Sequence, residues 1–289
     1  MFAFTIMSGF VKAAEVPAGQ AVFFRSVFAM PVIFAWLWQT GHLHDGLKTV
    51  RWQSHALRGI VGTSAMGLGF AGLIYLPLPE VTAIRFATPI ILVVLAALML
   101  GERFRFFRLG AVFMGLIGVL VIIWPRLGGS LGDAATLGAV LTLGSAALAA
   151  LAQVFVKGMA GRESTSAIVF YFSVTSAVIG LATLPFGWVW PSLEVAAYLV
   201  SAGLIGGVGQ ILLTASYRFA DASALAPFTY SSMIWSLAVG WLWFAEAPTA
   251  QMLLGSLIVI AAGSIIVWRE RQLGRDETAR RKVRAKGLQ

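Results

Sequence analysis

The 289-residue chain contains no cysteine, only three histidines, and charged residues at just 11% of positions. Without cysteine there can be no disulfide, no thiolate metal site and no cysteine nucleophile. His42, His44 and His55 fall in one stretch between apolar runs, with no HExxH pattern and no acidic cluster near them. The convergent acids, bases and ligands of a membrane enzyme are therefore missing, and neither a metal nor a cofactor is expected. Gly67-Leu68-Gly69 and Gly206-Gly207-Val208-Gly209 lie inside apolar runs, where a phosphate loop between strand and helix cannot form. Nothing resembles a nucleotide-binding domain, so ATP-driven chemistry is excluded too.

What replaces charge is apolar surface. Hydrophobic residues make up 59% of the chain and the mean hydropathy is +0.86. A soluble domain carries about 25% charged and about 45–50% apolar residues, and its surface must stay acceptable to water. The solvent of this chain is lipid.

Apolar stretches bounded by charge, glycine or proline predict ten spans, at about 1–14, 19–39, 56–76, 79–100, 106–124, 135–157, 164–185, 195–217, 221–244 and 249–268. The links are short, leaving no room for a soluble domain. The first stretch is shorter than the roughly 20 residues a span needs, so either that helix is short or residues precede Met1.

The net charge of +9 would suggest nucleic acid in a soluble protein. Here the basic residues are distributed as topology signals. Seventeen Lys and Arg fall on one side of the predicted spans: Lys48, Arg51, Arg58, Arg103, Arg105, Arg108, Lys157, Arg162, Arg218 and the eight after Trp268. The other side holds Lys12 and Arg126, with Arg25 and Arg85 inside spans. The positive-inside rule then puts the tail 269–289 and, with an even number of spans, the N-terminus in the cytoplasm of a plasma (inner) membrane protein. The partners expected are lipid and a small-molecule substrate, not nucleic acid. One copy of the chain would suffice for a pathway.

The two halves resemble each other. Leu100-Gly101-Glu102 at the end of the fourth span matches Phe244-Ala245-Glu246 at the end of the ninth. Gly110 and Gly118 match Gly255 and Gly263, and Gly69 to Ala83 resembles Leu213 to Ala226, all at an offset of about 144 residues. Five spans per half is an odd number, so the copies lie upside down relative to each other. Inverted repeats are the means by which many secondary transporters alternate access. The predicted organisation is a first five-helix repeat at 1–124, an external linker at 125–134, a second repeat at 135–268 and a basic tail at 269–289.

The order and spacing of further motifs carry a resemblance to a known family. They are Gly9-Phe10-Val11-Lys12, Phe24-Arg25, Thr88-Pro89 before Gly101-Glu102, Ala220-Asp221-Ala222-Ser223-Ala224-Leu225-Ala226-Pro227-Phe228, Tyr230 and Glu246-Ala247-Pro248. From the first helix to about Trp268 the chain resembles the ten-helix, EamA-type branch of the drug/metabolite transporter (DMT) superfamily. Within it the chain is most similar to exporters of amino acids and related metabolites, of the YddG type that carries aromatic amino acids. The resemblance implies a central cavity lined mainly by spans 3, 4, 8 and 9, with help from 1 and 6.

Two sets of residues are candidates for that site. The first is neutral: Gln210 and Thr214 one turn apart on the eighth span, Tyr230, Ser231 and Trp235 on one predicted face of the ninth with Pro227, Gln153 in the sixth, and Phe86, Thr88 and Pro89 in the fourth. Polar members would bond a neutral or zwitterionic solute while aromatic ones pack its apolar part; the same residues could equally fill gaps between helices. The second set is charged. Arg25 and Arg85 either snorkel near the external boundary, Arg85 pairing with Glu80 or Glu15, or attract a substrate carboxylate. No ionisable residue is predicted near the middle of any span, and a neutral or zwitterionic cargo follows. Glu102 and Glu246 are read as caps of the helices that follow them, with proton carriage as the other reading. Hinges are expected at Pro89, Gly206, Gly207 and Pro227. The fold class is thus an all-α integral membrane protein of ten transmembrane helices, in two inverted repeats around a central cavity. Its expected function is export of amino acids, aromatic or otherwise hydrophobic, by alternating access; a multidrug or other metabolite carrier, or a channel, is the alternative.

Overall fold

The computed structural model describes residues 1–101, 110, 113–118, 120, 121, 124, 133–262, 264 and 265, with side chains described for all of these but residues 223, 224, 226 and 227. Nine residues of the predicted fifth span (106–109, 111, 112, 119, 122 and 123), residues 125–132 of the linker, Glu102, Gly263 and the tail lie outside the described residues.

The described chain is helical: α1 (Phe2–Ala14), α2 (Ala18–Val27), α3 (Ala29–Gln39), α4 (Trp52–Tyr75), α5 (Leu78–Ile84), α6 (Ala87–Leu100), α7 (Ala134–Met159), α8 (Thr165–Ala182), α9 (Leu193–Phe219), α10 (Ala222–Leu225), a 3₁₀ segment (Ala226–Ser231), α11 (Ser232–Phe244) and α12 (Ala250–Ala262). Six stretches among the described residues are long and apolar enough to cross a membrane, and α1 and α12 are shorter apolar helices. Large apolar side chains such as Leu98, Leu242 and Leu257 point outward, and Trp38, Trp52 and Trp190 stand exposed at helix ends, where lipid and water meet.

Helix boundaries follow from local chemistry. Ser164 and Ser192 cap α8 and α9 by accepting from the N–H groups of Ala167 and Val195. Proline interrupts two other spans. Pro89 has no N–H and its ring clashes with the carbonyl four residues back, Arg85, so the fourth span divides into α5 and α6 at Arg85-Phe86. The freed Arg85 carbonyl accepts instead from the Thr88 N–H at 2.9 Å. Pro31 stands in the same relation to Val27, where α2 gives way to α3 at Phe28.

Packing relies on small residues at helix crossings. Between α4 and α7, a Cβ at Gly72 would come within 2.2 Å of Thr142 Oγ1 and one at Gly138 within 2.7 Å of Tyr75 Cβ. Ser145 also donates to the Ala65 carbonyl at 2.6 Å. Gly203 and Gly207 of α9 approach Phe28 and Ala29, and Gly118 of the fifth span approaches the Gly255 carbonyl of α12. Gly206 and Gly207, candidate hinges by sequence, stand within the unbroken α9, where the space a side chain would need is taken by the Met7 and Arg25 side chains at Gly206 and by Ala29, largely its backbone, at Gly207.

Gly203→Leu is expected to overpack the α9–α2 crossing, where a Cβ already meets Phe28 Cβ at 2.4 Å, at a cost of about 1–3 kcal/mol. In detergent its melting temperature should fall, while Gly161→Ala, which meets nothing within 4 Å, should leave it unchanged.

Candidate functional site

A central cavity opens between the helices, with a volume of about 1250 Å³ including the part continuous with its surroundings. It is lined by Thr5 and Ser8 of α1, Arg25 of α2, Arg58, Met66 and Phe70 of α4, Arg85, Phe86, Thr88 and Pro89 around the α5–α6 break, Gln153 of α7, Phe172 of α8, and Gln210, Thr214 and Tyr217 of α9. The break matters: interrupting the helix at Arg85-Phe86 turns both side chains toward the same space as Thr88.

The neutral polar groups form short chains. Gln210 Nε2 donates to Thr214 Oγ1 at 3.3 Å, as their one-turn spacing allows. Tyr217 donates its hydroxyl proton to Gln153 Oε1 at 2.6 Å, tying α9 to α7. Not every sequence candidate reaches the cavity. Tyr230 is buried against Phe86, ring centroids 5.2 Å apart. Ser231 is exposed and bonds the Phe228 carbonyl, and Trp235 is 42% exposed with its ring against Phe2. The predicted shared face assumed α-helical winding through Pro227. The segment instead winds as a 3₁₀ helix of 3.0 residues per turn, which shifts the register of everything beyond it. The Pro227 side chain lies outside those described.

The charged residues depart furthest from expectation. Arg25, Arg58 and Arg85 all line the cavity, so its lining is not confined to the neutral groups expected there; Arg25 and Arg85 were charged candidates by sequence, and Arg58 was not. At 1.5 Å per residue the three stand roughly 5–8 Å from the midpoints of Ala18–Gln39, Trp52–Tyr75 and Leu78–Leu100. Arg25 is 2% and Arg58 4% exposed, so neither snorkels. Arg58 was assigned to the cytoplasmic end of its span, but its guanidinium carbon lies 3.4 Å from the centroid of the Phe172 ring, and that of Arg25 5.4 Å from it. Arg25 Nη2 donates to the Gly206 carbonyl and to Gln210 Oε1, each at 3.4 Å. Among the described residues no ion pair joins Arg85 to Glu80 or Glu15, and no carboxylate pairs with any of the three arginines. A single arginine at the centre of a span costs about 2.5–3.5 kcal/mol on insertion scales. Hydropathy missed the site because position along one helix says nothing of where a long side chain is drawn by its neighbours.

Two lysines close the bundle at its ends. Lys12 donates to the Leu76 carbonyl at the end of α4, at 3.0 Å, and pairs with Glu246. Glu246 also accepts from the Leu78 N–H at 3.0 Å, so it caps α5, a helix of the other half of the chain, and not the helix after it as the sequence suggested. Lys157 donates to the Ala220 carbonyl at the end of α9, at 2.8 Å, and stands 3.5 Å from Asp221.

A further buried group lies between helices, beyond α7. Glu163 accepts from the N–H groups of Val50 and Arg51 and from the Thr49 hydroxyl, and His55 Nε2 approaches its other oxygen to 3.4 Å. Burial alone would raise this carboxyl, but the backbone donors and His55 outweigh it and hold it below its ordinary value.

A bundle of membrane-length helices around a central cavity of mixed polar and apolar lining is the build of a polytopic transporter. Comparison with known proteins gives the family: residues 1–124 and 136–268 match the EamA-like transporter family, and the chain belongs to it. It is therefore a transporter of the drug/metabolite superfamily, not an enzyme. It is similar to a pseudopaline exporter of Pseudomonas aeruginosa (27% identical over 266 residues, 90% of each chain). It is also similar to an S-adenosylmethionine uptake transporter of Rickettsia felis (27% over 251 residues, 86% of this chain and 81% of that one). A riboflavin transporter of Rhizobium johnstonii is 28% identical over 256 residues, 88% of this chain and 82% of that one. A solved crystal structure shares the fold, with a TM-score of 0.73 at 20% identity over 94% of this chain and 97% of that one.

Because the folded Glu163 carboxyl sits below its unfolded value, its contribution is complete above the ordinary carboxylate range and is lost as pH falls through the lowered value. Melting curves between pH 7 and pH 3 should show the wild type losing its advantage over Glu163→Gln as the solution is acidified. Curves that stay parallel would contradict this.

Proposed function

We propose that this protein is a secondary transporter of ten spans in two inverted five-helix repeats, which exports small metabolites across the inner membrane by alternating access, with both termini in the cytoplasm. Its cargo class is amino acids and related solutes with an aromatic or other hydrophobic body. The observation that carries the reading is the cavity, where polar Thr88, Gln153, Gln210 and Thr214 stand beside apolar Phe70 and Phe86, on helices from both halves. The arginines add a requirement for a carboxylate, which an amino acid meets.

The repeat is supported by contacts that recur in pairs. Lys12 bonds Leu76 as Lys157 bonds Ala220. Gly203 meets Phe28 as Gly59 meets Thr175, and Gly206 faces Arg25 as Gly62 faces Phe172. The fourth and ninth spans both end in a left-handed residue, Gly101 (φ 68°) and Ala245 (φ 54°). An alanine held in that region is strained, so at Ala245 the turn is imposed by its surroundings, whereas Gly101 adopts it freely. Phe86 and Tyr230, 144 residues apart, touch each other, as counterparts beside a two-fold axis do. Such paired bonds suit a bundle whose halves exchange conformations, one lysine closing one side and its counterpart the other.

Purified protein in liposomes loaded with phenylalanine should take up labelled phenylalanine in a saturable, exchange-stimulated manner. Flux proportional to gradient and indifferent to internal substrate would indicate a channel and sink the carrier reading. The absence of cysteine permits a second test: a single Ala152→Cys in the cavity wall can be labelled by a membrane-impermeant maleimide. Lys12→Ala should raise its labelling from the external face and Lys157→Ala from the cytoplasmic face, in right-side-out and inverted vesicles respectively. The same change for both variants would contradict alternating closure.

A further inference from the structure

Arg25 and Arg58 are two cations sealed beside one aromatic ring. In each, Nε and Nη1 are buried without a hydrogen-bond partner. Arg25 has the two long bonds from Nη2 already described, and Arg58 rests on Phe172. Arg85 looks into the same cavity, and the described lining residues include no Asp or Glu. Guanidinium groups are rigid forks of donors that match a carboxylate with two parallel bonds. Here two forks each have Nε and Nη1 donors left over, with no acceptor for them among the described residues.

The repeat supplies an independent argument. The paired contacts make Phe172 the counterpart of Arg25, since each faces the equivalent glycine, Gly62 or Gly206. At the 144-residue offset, Ala202 corresponds to Arg58 and Thr229 to Arg85. The scaffold therefore packs at the equivalent places of its second copy with an aromatic ring, a methyl group and a threonine. A cation needed only to hold helices together would have a reason to appear in both copies. All three arginines sit in one. They break the symmetry of the bundle at the cavity, where cargo is the remaining candidate for the missing counter-charge.

We propose that Arg25 and Arg58, gathered on Phe172, form an anion subsite that binds a carboxylate of the cargo, with Arg85 adding positive charge across the cavity. The preferred substrates are then organic acids of net negative charge with an apolar body, bound more tightly than zwitterions of the same shape. The apolar part packs against Met66, Phe70 and Phe86. This inference rests on the carrier reading above and narrows its substrate class.

The test is a series of matched probes on the full chain in detergent: benzylsuccinate (two carboxylates), 3-phenylpropionate (one), phenylalanine (zwitterion) and 3-phenylpropanamide (neutral). Affinity, read from ligand-induced shifts in melting temperature, should fall in that order. Arg58→Gln should weaken 3-phenylpropionate by about tenfold or more, the scale of a lost charged hydrogen bond, and leave the amide unchanged. It should also leave the melting temperature of the ligand-free protein equal or higher, because a like-charge neighbour has gone. A purely structural arginine predicts the reverse, a lower melting temperature with the preference for acid over amide retained, and that result would overturn the proposal. Should Arg58→Gln not fold, Arg58→Lys carries the test, since it keeps the charge and removes the fork: loss of the acid-over-amide preference supports the subsite and its retention overturns it. Phenylalanine exchange in liposomes separates the two readings. If exchange is present but the wild type shows no preference for acids, the subsite fails and the carrier stands; if no probe competes or exchanges, the carrier reading itself fails.

Discussion

Inside a bilayer nothing but the protein can satisfy a hydrogen bond or balance a charge. Every polar group at that depth must find its partner within the bundle, and the structure is largely a record of how this is done. Thr63, Thr142, Ser173 and Thr175 turn their hydroxyls back to the carbonyl one turn earlier in their own helices. Where α4 and α9 end and carbonyls lose their helical partners, Lys12 and Lys157 supply donors. Where α5 begins and N–H groups are left over, Glu246 supplies an acceptor from the far half of the chain. The Ser26 and Tyr230 hydroxyls are also left without a partner, but Arg25 and Arg58 leave charged donors unpaired beside the cavity, and the constraint that orders the rest of the bundle gives them meaning.

The second requirement is room. Lipid offers no hydrophobic drive toward another helix, so helices associate where small residues let backbones and hydroxyls come close. The crossing of α4 with α7 is built that way, from Gly69, Gly72, Gly138 and Ser145. The cavity depends on the same economy. A Cβ at Gly62 would strike Arg58 Nη1 at 2.6 Å, and one at Gly206 would meet Arg25 Nε at 3.1 Å. Two glycines on the faces of α4 and α9 thus make the space in which the guanidinium groups lie. Packing and charge placement are one arrangement, and a substitution at either glycine would disturb both.

Much of the fold was legible in the sequence, for plain reasons. Apolar runs bounded by charge mark helices in lipid, and the predicted limits of Trp52–Tyr75, Leu78–Leu100 and Leu193–Phe219 differ from the observed ones by a few residues. Gln210 and Thr214 share a face because an unbroken α-helix fixes their angular spacing. Arg25 and Arg85 were legible as charged candidates, but Arg58 was placed at a span end because the count along a helix gives the depth of a Cα and not of the guanidinium its long side chain carries. Ser231 and Trp235 were misplaced because the 3₁₀ turn before them changes the angle per residue, and Pro227 announces a break without fixing its winding.

The amino-acid sequence by itself determined that this chain lives in lipid, that it crosses repeatedly as helices, and that its two halves carry matching motifs. Those properties are local or periodic, and hydrophobicity, proline and glycine express them directly. Only the tertiary structure decided which side chains share the cavity. Arg25, Arg58 and Phe172 come from three different helices, and no local rule brings them together. Their meeting is set by how the helices cross, which depends on many small contacts at once. The positively charged centre, unlike the apolar shell, is a property of the assembled bundle.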